Sequence, residues 1–588
     1  MRLLILVVTF MWMFSMNSTA QNGEKLNWKT RFELSGYLET GTYDETMKYF
    51  ERLAEHSPYA KFKSFGISPQ GRALNVLIVA SGGEFNPLKA KSSGKAIVLI
   101  QNGIHSGEIE GKDASMILLR EILVENKHVD WLNDVILLVV PIFNVDGHER
   151  RSKYNRINQN GPAEMGWRVT AQNLNLNRDY TKADAPEMKA MLKLFSDWLP
   201  DFYIDTHTTD GADYQYTITY DIVDAPFVSP ESRKWIEQKL KPFIEAKVEK
   251  DGFLIGPYVG FVNGNPKEGL RSWVAGPRFS QGYAAVQNRP GLLVETHMLK
   301  PYKDRVFATY SLLKAVLELV SNQSKTLREL NILADEFTKQ RYVKQRNAYP
   351  ISFEIDMNKF SNFEFKGYKA YYDSSWIAGK PVIKYSHEKE NFVTKFYNRP
   401  VVKDSVFLPE FYLIPEEWSA IVPIIELHGI KVDTMRKTMP VNVEIYKFKK
   451  VKFPEFPYEG RFSPAFQYDV LKKKITIPAG TFVVSTNQRN AGLIAHLLEP
   501  ASRDSFLKWG FFNIIFERKE YFEMYSMEPI AKEMLEHNEK LKEEFLKKLQ
   551  EDENFRNNAW QRLNFFYERS PYYDKKHNIY PVMRVPFE

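Results

Sequence analysis

The chain of 588 residues has no cysteine. That excludes disulfides, thiolate catalysis, Cys zinc sites and a Cys-linked lipid anchor, so stability has to come from packed cores and bound metal. A Gly-x-Ser-x-Gly nucleophile elbow is also missing; Gly66-Ile67-Ser68-Pro69-Gln70-Gly71 has the wrong spacing for one. No His-Glu-x-x-His helix occurs. There are no internal repeats and no low-complexity tracts. The net charge of +7 is spread along the chain without a basic cluster interleaved with aromatics. It reads as a solvated mixed-charge surface and argues against nucleic acid as a partner.

Long apolar runs are scarce as well. Leu3–Phe14, the run nearest to one, is short for a bilayer span. It follows Met1-Arg2 and precedes Ser18-Thr19-Ala20-Gln21, which together predict a signal peptide over residues 1–20, cut after Ala20. The expectation is an exported protein, periplasmic or extracellular, with no stable membrane span after signal removal. At 44% hydrophobic residues the chain is globular, and its length implies two to four domains.

Residues 21–60 look helical. Ala73–Ala80, Ala96–Gln101, Val135–Val140, Phe202–Asp205 and Gly291–Val294 read as buried strands, alternating with helices near 112–125, 186–198, 303–320 and 325–340. Strands that are apolar throughout predict an α/β fold with a mixed, largely parallel twisted sheet covered by helices on both faces. After about residue 345 the strands become short and alternating, as in Val441–Ile445. This predicts a β-rich accessory region over 343–588. Within it, Glu528-Pro529 opens a long charged helix near 528–550.

His-x-x-Glu occurs three times: His105/Glu108, His387/Glu390 and His496/Glu499. His387 lies in a charged stretch and reads as surface. His496 lies in an apolar helix and reads as core. Only His105/Glu108 stands at a strand end beside a glycine, Gly103, where two side chains can converge on one ion. In open α/β sheets ligands sit beyond the C-terminal strand ends. A catalytic zinc site takes three protein ligands and leaves a fourth position open. His207, just after a buried strand, is the best third ligand.

The ordered set His105-Ser106-Gly107-Glu108, Asn177-Arg178, His207 and Glu295 resembles the zinc metallocarboxypeptidase family, the carboxypeptidase A-like peptidases of family M14. Gly66-x-Ser68 through Gly71-Arg72 and Asn144-x-Asp146-Gly147 resemble further pieces of its pattern. The resemblance covers roughly residues 40–320, so a catalytic domain is expected over 21–342. The accessory region resembles C-terminal extensions on exported bacterial members. The resemblance implies one Zn2+ per chain, held by His105, Glu108 and His207. It implies Glu295 as the catalytic base and Arg168 as the cation that stabilises the developing oxyanion. Asn177 and Arg178 would grip the terminal carboxylate of a peptide substrate, and Tyr283 would close over it.

Departures from the family pattern are specific. Gly107 replaces an arginine, so one substrate contact is missing. Asn175 replaces an aspartate that orients a zinc-bound histidine, and Asp179-Tyr180 replaces an Asn-aromatic pair. Asp205 is the alternative source of a carboxylate, although on its strand it points away from its immediate neighbours. Two alternatives stand beside an active carboxypeptidase: a zinc amidase acting on peptidoglycan stem peptides, and a degenerate peptidase acting as a binding protein.

Overall fold

The computed structural model describes residues 27–588, so the expected signal peptide lies outside the described residues. The strands of the main sheet are β1 (Ala60–Ile67), β2 (Ala73–Val79), β3 (Ala96–Gln101), β4 (Val135–Val140), β5 (Phe202–Thr209), β6 (Ile218–Ile222), β7 (Ile255–Pro257) and β8 (Gly291–His297). Their spatial order is β1-β2-β4-β3-β5-β8-β6-β7. The centre, β4-β3-β5-β8, is parallel; β1, β2 and β6 join antiparallel. This is the mixed sheet the apolar runs predict.

The continuous apolar run of β3 has a direct cause. Alternate residues of a strand face opposite ways, and both faces of this sheet are covered. Ile97 and Leu99 enter one core, with Met188, Leu192 and Phe195 of the helix Pro186–Trp198. Val98 and Ile100 enter the other, with Ile117 and Leu118 of Glu110–Leu123 and Leu312 and Val316 of Tyr302–Asn322. Of the stretch 21–60 that looks helical in the sequence, the described residues 27–60 hold a single turn at Arg31–Leu34 and the helix Tyr43–His56. Thr42 begins the latter with a capping box, accepting from the Glu45 N–H while the Glu45 carboxylate accepts from its own.

Beyond residue 345 the chain forms a two-stranded pair, a long hairpin (Ser361–Ser375 with Lys380–Tyr397) and a six-stranded sheet. This region is not appended at arm's length. Its Tyr412, Ile414, Leu493 and Leu497 belong to the same continuous core as Ile97, Leu99 and Tyr203 of the main sheet. The single long helix expected near 528–550 is instead two helices, Met524–Glu536 and Glu539–Glu551. The break falls at Asn538, whose side chain accepts from the Leu541 N–H and starts the second helix. Pro529 lies inside the first helix and does not open it. Among the described residues no helix is long and apolar enough to cross a membrane.

Candidate active site

Gly103 follows β3 at φ +66, a left-handed conformation that suits glycine. The turn brings His105 and Glu108 to the end of the sheet. His207 lies on β5 itself, which continues two residues further, and Glu295 lies on β8, directly opposite His207 in the parallel register. Strand pairing thus delivers four chemically active side chains from three separated stretches to one place. His105, Glu108 and His207 each offer a ligand atom, the three within 4.8 Å of one another, and all three residues are buried.

The two histidines present the same nitrogen. His105 Nδ1 lies 3.2 Å and His207 Nδ1 3.0 Å from Glu108 Oε2. Their far nitrogens are engaged: His105 Nε2 with Asn175 Oδ1 at 3.1 Å and His207 Nε2 with Asp205 Oδ2 at 2.6 Å. Those acceptors hold the proton on Nε2 and leave the Nδ1 lone pairs facing the carboxylate. Three converging lone-pair donors fit a cation, and two imidazoles with one carboxylate fit zinc.

Asn175 therefore fills the place of the family's aspartate as a neutral acceptor. Asp205 supplies a carboxylate as the sequence suggested, and it does so to His207: it points away from residues 204 and 206, but two residues along a strand share a face. Gln101 Nε2 donates to the other Asp205 oxygen at 2.9 Å, and the Tyr180 hydroxyl donates to Gln101 Oε1 at 3.1 Å.

Charge follows this geometry. Burial pushes His105 down to about 4, which keeps it a neutral ligand. Burial opposes the charge of Glu108 too, but His105, Arg156 and His207 hold its carboxyl well below the usual range. Burial also works against charge on His207, yet Asp205 and Glu108 outweigh it and raise its pKa. Glu295 moves the other way: burial, with the Glu108 and Asp205 carboxylates nearby, raises its pKa against the pull of His207. One Glu295 oxygen, Oε2, has no hydrogen-bond partner among the described residues.

A cleft of about 540 Å³ opens over this cluster, and His105, Glu108, Arg168, Asn177, Arg178, His207 and Glu295 all line it. Arg168 donates to Glu108 Oε1 at 3.0 Å. Asn177 Oδ1 accepts from the Ser280 N–H at 3.1 Å, which fixes its amide. The Arg178 guanidinium lies over the Phe279 ring, 4.4 Å from its centroid.

Tyr283 does not belong to the cleft. It is fully buried, and its hydroxyl is hydrogen-bonded to His428 Nδ1 at 3.1 Å and to Gln287 Nε2 at 2.9 Å. The tyrosine that lines the cleft is Tyr258, just beyond β7, and the Glu295 charge is the main cause of its raised pKa. Sequence reasoning missed it because nothing local separates it from the chain's other 30 tyrosines, 31 in all.

Arg156 was missed as well. It donates to Glu108 Oε1 at 2.8 Å and is nearly buried. Its side chain runs across Gly107, where an added Cβ would lie 2.8 Å from Arg156 Cγ. The arginine absent at position 107 is thus answered by another that arrives from a polar loop. His387 is exposed and His496 is buried against Ser502 Oγ, as their surroundings suggested.

Residues 46–251 match the family model described as zinc carboxypeptidase, Peptidase_M14. The chain carries a zinc carboxypeptidase domain of that family and is a metallocarboxypeptidase, a peptide hydrolase. It is 24% identical over 492 residues to Carboxypeptidase 2 of Trichophyton rubrum, covering 80% of this chain and 84% of that protein. It is likewise 24% identical over 490 residues to Carboxypeptidase 2 of Trichophyton tonsurans, with the same coverage. Among solved structures, a metallo-carboxypeptidase from Burkholderia cenocepacia is 16% identical at a TM-score of 0.36, over 48% of this chain and 70% of that one. Carboxypeptidase A from Helicoverpa armigera is 15% identical at a TM-score of 0.35, over 48% and 74%.

Proposed function

We propose that this protein is an exported zinc carboxypeptidase that removes the C-terminal residue of peptides. The observation that carries the reading is the convergence of His105 Nδ1 and His207 Nδ1 on Glu108 Oε2, beside Glu295, in a cleft that also holds Arg168 and Arg178. Export rests on the N-terminal pattern of residues 1–20.

His105, Glu108 and His207 would hold one zinc ion per chain. Bound there, zinc supplies Lewis acidity toward the attacking water and the scissile carbonyl. The rest is the work of the chain's own side chains. Glu295 takes a proton from the attacking water through its free carboxylate oxygen and returns it to the leaving amine. A raised pKa suits the return step. Arg168 lies at the cleft surface and offers a cation to the carbonyl oxygen as negative charge develops there. Arg178 and Asn177 bind the substrate's terminal carboxylate, the former as a planar fork and the latter as a neutral amide donor.

The test is hydrolysis of a blocked dipeptide against its C-terminal carboxamide. Strong preference for the free acid is expected. Equal cleavage of both would remove the role given to Asn177 and Arg178 and favour an amidase.

A further inference from the structure

The segment that carries Asn177 and Arg178 is tied to the accessory region at three points. Arg178 Nε donates to the Tyr458 hydroxyl at 3.0 Å. Trp509 Nε1 donates to Thr181 Oγ1 at 2.9 Å. Arg461 pairs with Asp184. A fourth tie, Arg278 Nε to Asp504 Oδ1 at 2.6 Å, pins the segment that brings Trp273 and Phe279 to the same cleft.

Tyr458 is presented by a stiff device. Tyr458 and Arg461 exchange backbone hydrogen bonds of 2.9 and 3.0 Å. Between them Glu459 and Gly460 both adopt left-handed φ, +50 and +72, the pattern of a tight two-residue hairpin turn. The Tyr458 ring lies nearly parallel to Trp509, with centroids 6.2 Å apart, and Arg278 sits 4.5 Å from the Trp509 ring centroid. The turn's other end is held by Arg461, on Asp184 and 4.4 Å from the Phe511 ring centroid.

Arg178 has five N–H donors. Nε is taken by Tyr458 and one NH1 hydrogen by the Asn177 carbonyl at 2.7 Å. NH2 has no partner among the described residues. The protein contacts therefore occupy Nε and one NH1 hydrogen and leave both NH2 hydrogens and the second NH1 hydrogen for a carboxylate.

We infer that Tyr458 is a positioning residue for Arg178, so that recognition of the substrate's terminal carboxylate is a joint property of the catalytic domain and the accessory region. This rests on the carboxylate-binding role proposed above for Arg178. It gives the accessory region a task at the active site beyond sharing its core. The hydroxyl aims the guanidinium, and the ring with Trp509 forms a wall behind it.

Tyr458→Phe keeps the ring against Trp509 and removes only the hydroxyl. Steady-state kinetics on a blocked dipeptide and on its C-terminal carboxamide, beside Arg178→Gln, test the inference. For Tyr458→Phe the expected result is a KM for the free acid raised about three- to tenfold, the usual worth of one hydrogen bond. Turnover stays within about twofold and carboxamide hydrolysis is unchanged, because the loss is one of uniform binding. An unchanged KM, or an equal loss on both substrates, overturns it. If Arg178→Gln keeps the free-acid preference, the carboxylate reading fails and this inference fails with it. If Arg178→Gln loses the preference while Tyr458→Phe behaves as wild type, only the inference falls.

Discussion

Asp205 and His207 stand two residues apart on one strand, and Asp205 Oδ2 accepts from His207 Nε2 at 2.6 Å. This pair fixes the ring nitrogen that faces Glu108. Replacing Asp205 with Ala should weaken zinc binding by about 10- to 100-fold, the usual effect of losing a partner that orients a ligand histidine. Competition against a chelator measures it. An unchanged affinity would show that packing alone orients the ring.

Gly107 and Arg156 should behave as a coupled pair. Gly107→Ala forces Cβ into the Arg156 side chain and should cost about 1–3 kcal/mol, as overpacking usually does. In an Arg156→Ala background most of that cost should vanish, which denaturant melts of the four proteins would reveal. Equal costs in both backgrounds would place the strain elsewhere.

The two tyrosines separate cleanly. Tyr258→Phe should alter KM or turnover, since Tyr258 lines the cleft near Glu295. Tyr283→Phe should leave kinetics alone and lower stability by about 1 kcal/mol, the worth of its buried hydrogen bonds. Kinetics and thermal melts of both proteins check this; a purely kinetic defect in Tyr283→Phe would reinstate it at the site.

Glu187 offers a pH signature away from the chemistry. It is fully buried at the start of the helix Pro186–Trp198, and neither carboxylate oxygen has a partner among the described residues. Burial, aided by Asp146 and Asp179, pushes its pKa up to about 7 from 4.5. The folded state therefore favours the protonated acid. Its contribution to stability is whole below pH 4.5 and drains away as pH rises through about 7. Glu187→Gln should melt at the wild-type temperature at pH 4 and above it at pH 8. The reverse order would contradict a neutral Glu187.

Much of the site was legible in the sequence because strand ends are legible. Continuous apolar runs mark β3, β5 and β8, and His105, His207 and Glu295 fall at or beside their ends. What escaped depends on contacts between distant segments. Arg156 sits in a polar loop with no periodic signal, and only the space over Gly107 reveals its target. Tyr283 follows from the resemblance, and the sequence around it does not distinguish a buried helix position from a cleft wall. The accessory strands alternate as any half-buried sheet does. Their shared core with the main sheet, and the reach of Tyr458 to Arg178, emerge only in three dimensions.

The division of labour between metal and base is tested most directly by one measurement on Glu295→Gln: hydrolysis rate of a blocked dipeptide at a verified zinc content. The expected result is one zinc per chain, as in the wild type, with activity lowered by about two to four orders of magnitude, the usual share of general acid–base catalysis. A zinc-loaded Glu295→Gln protein that turns over at close to the wild-type rate would contradict the account.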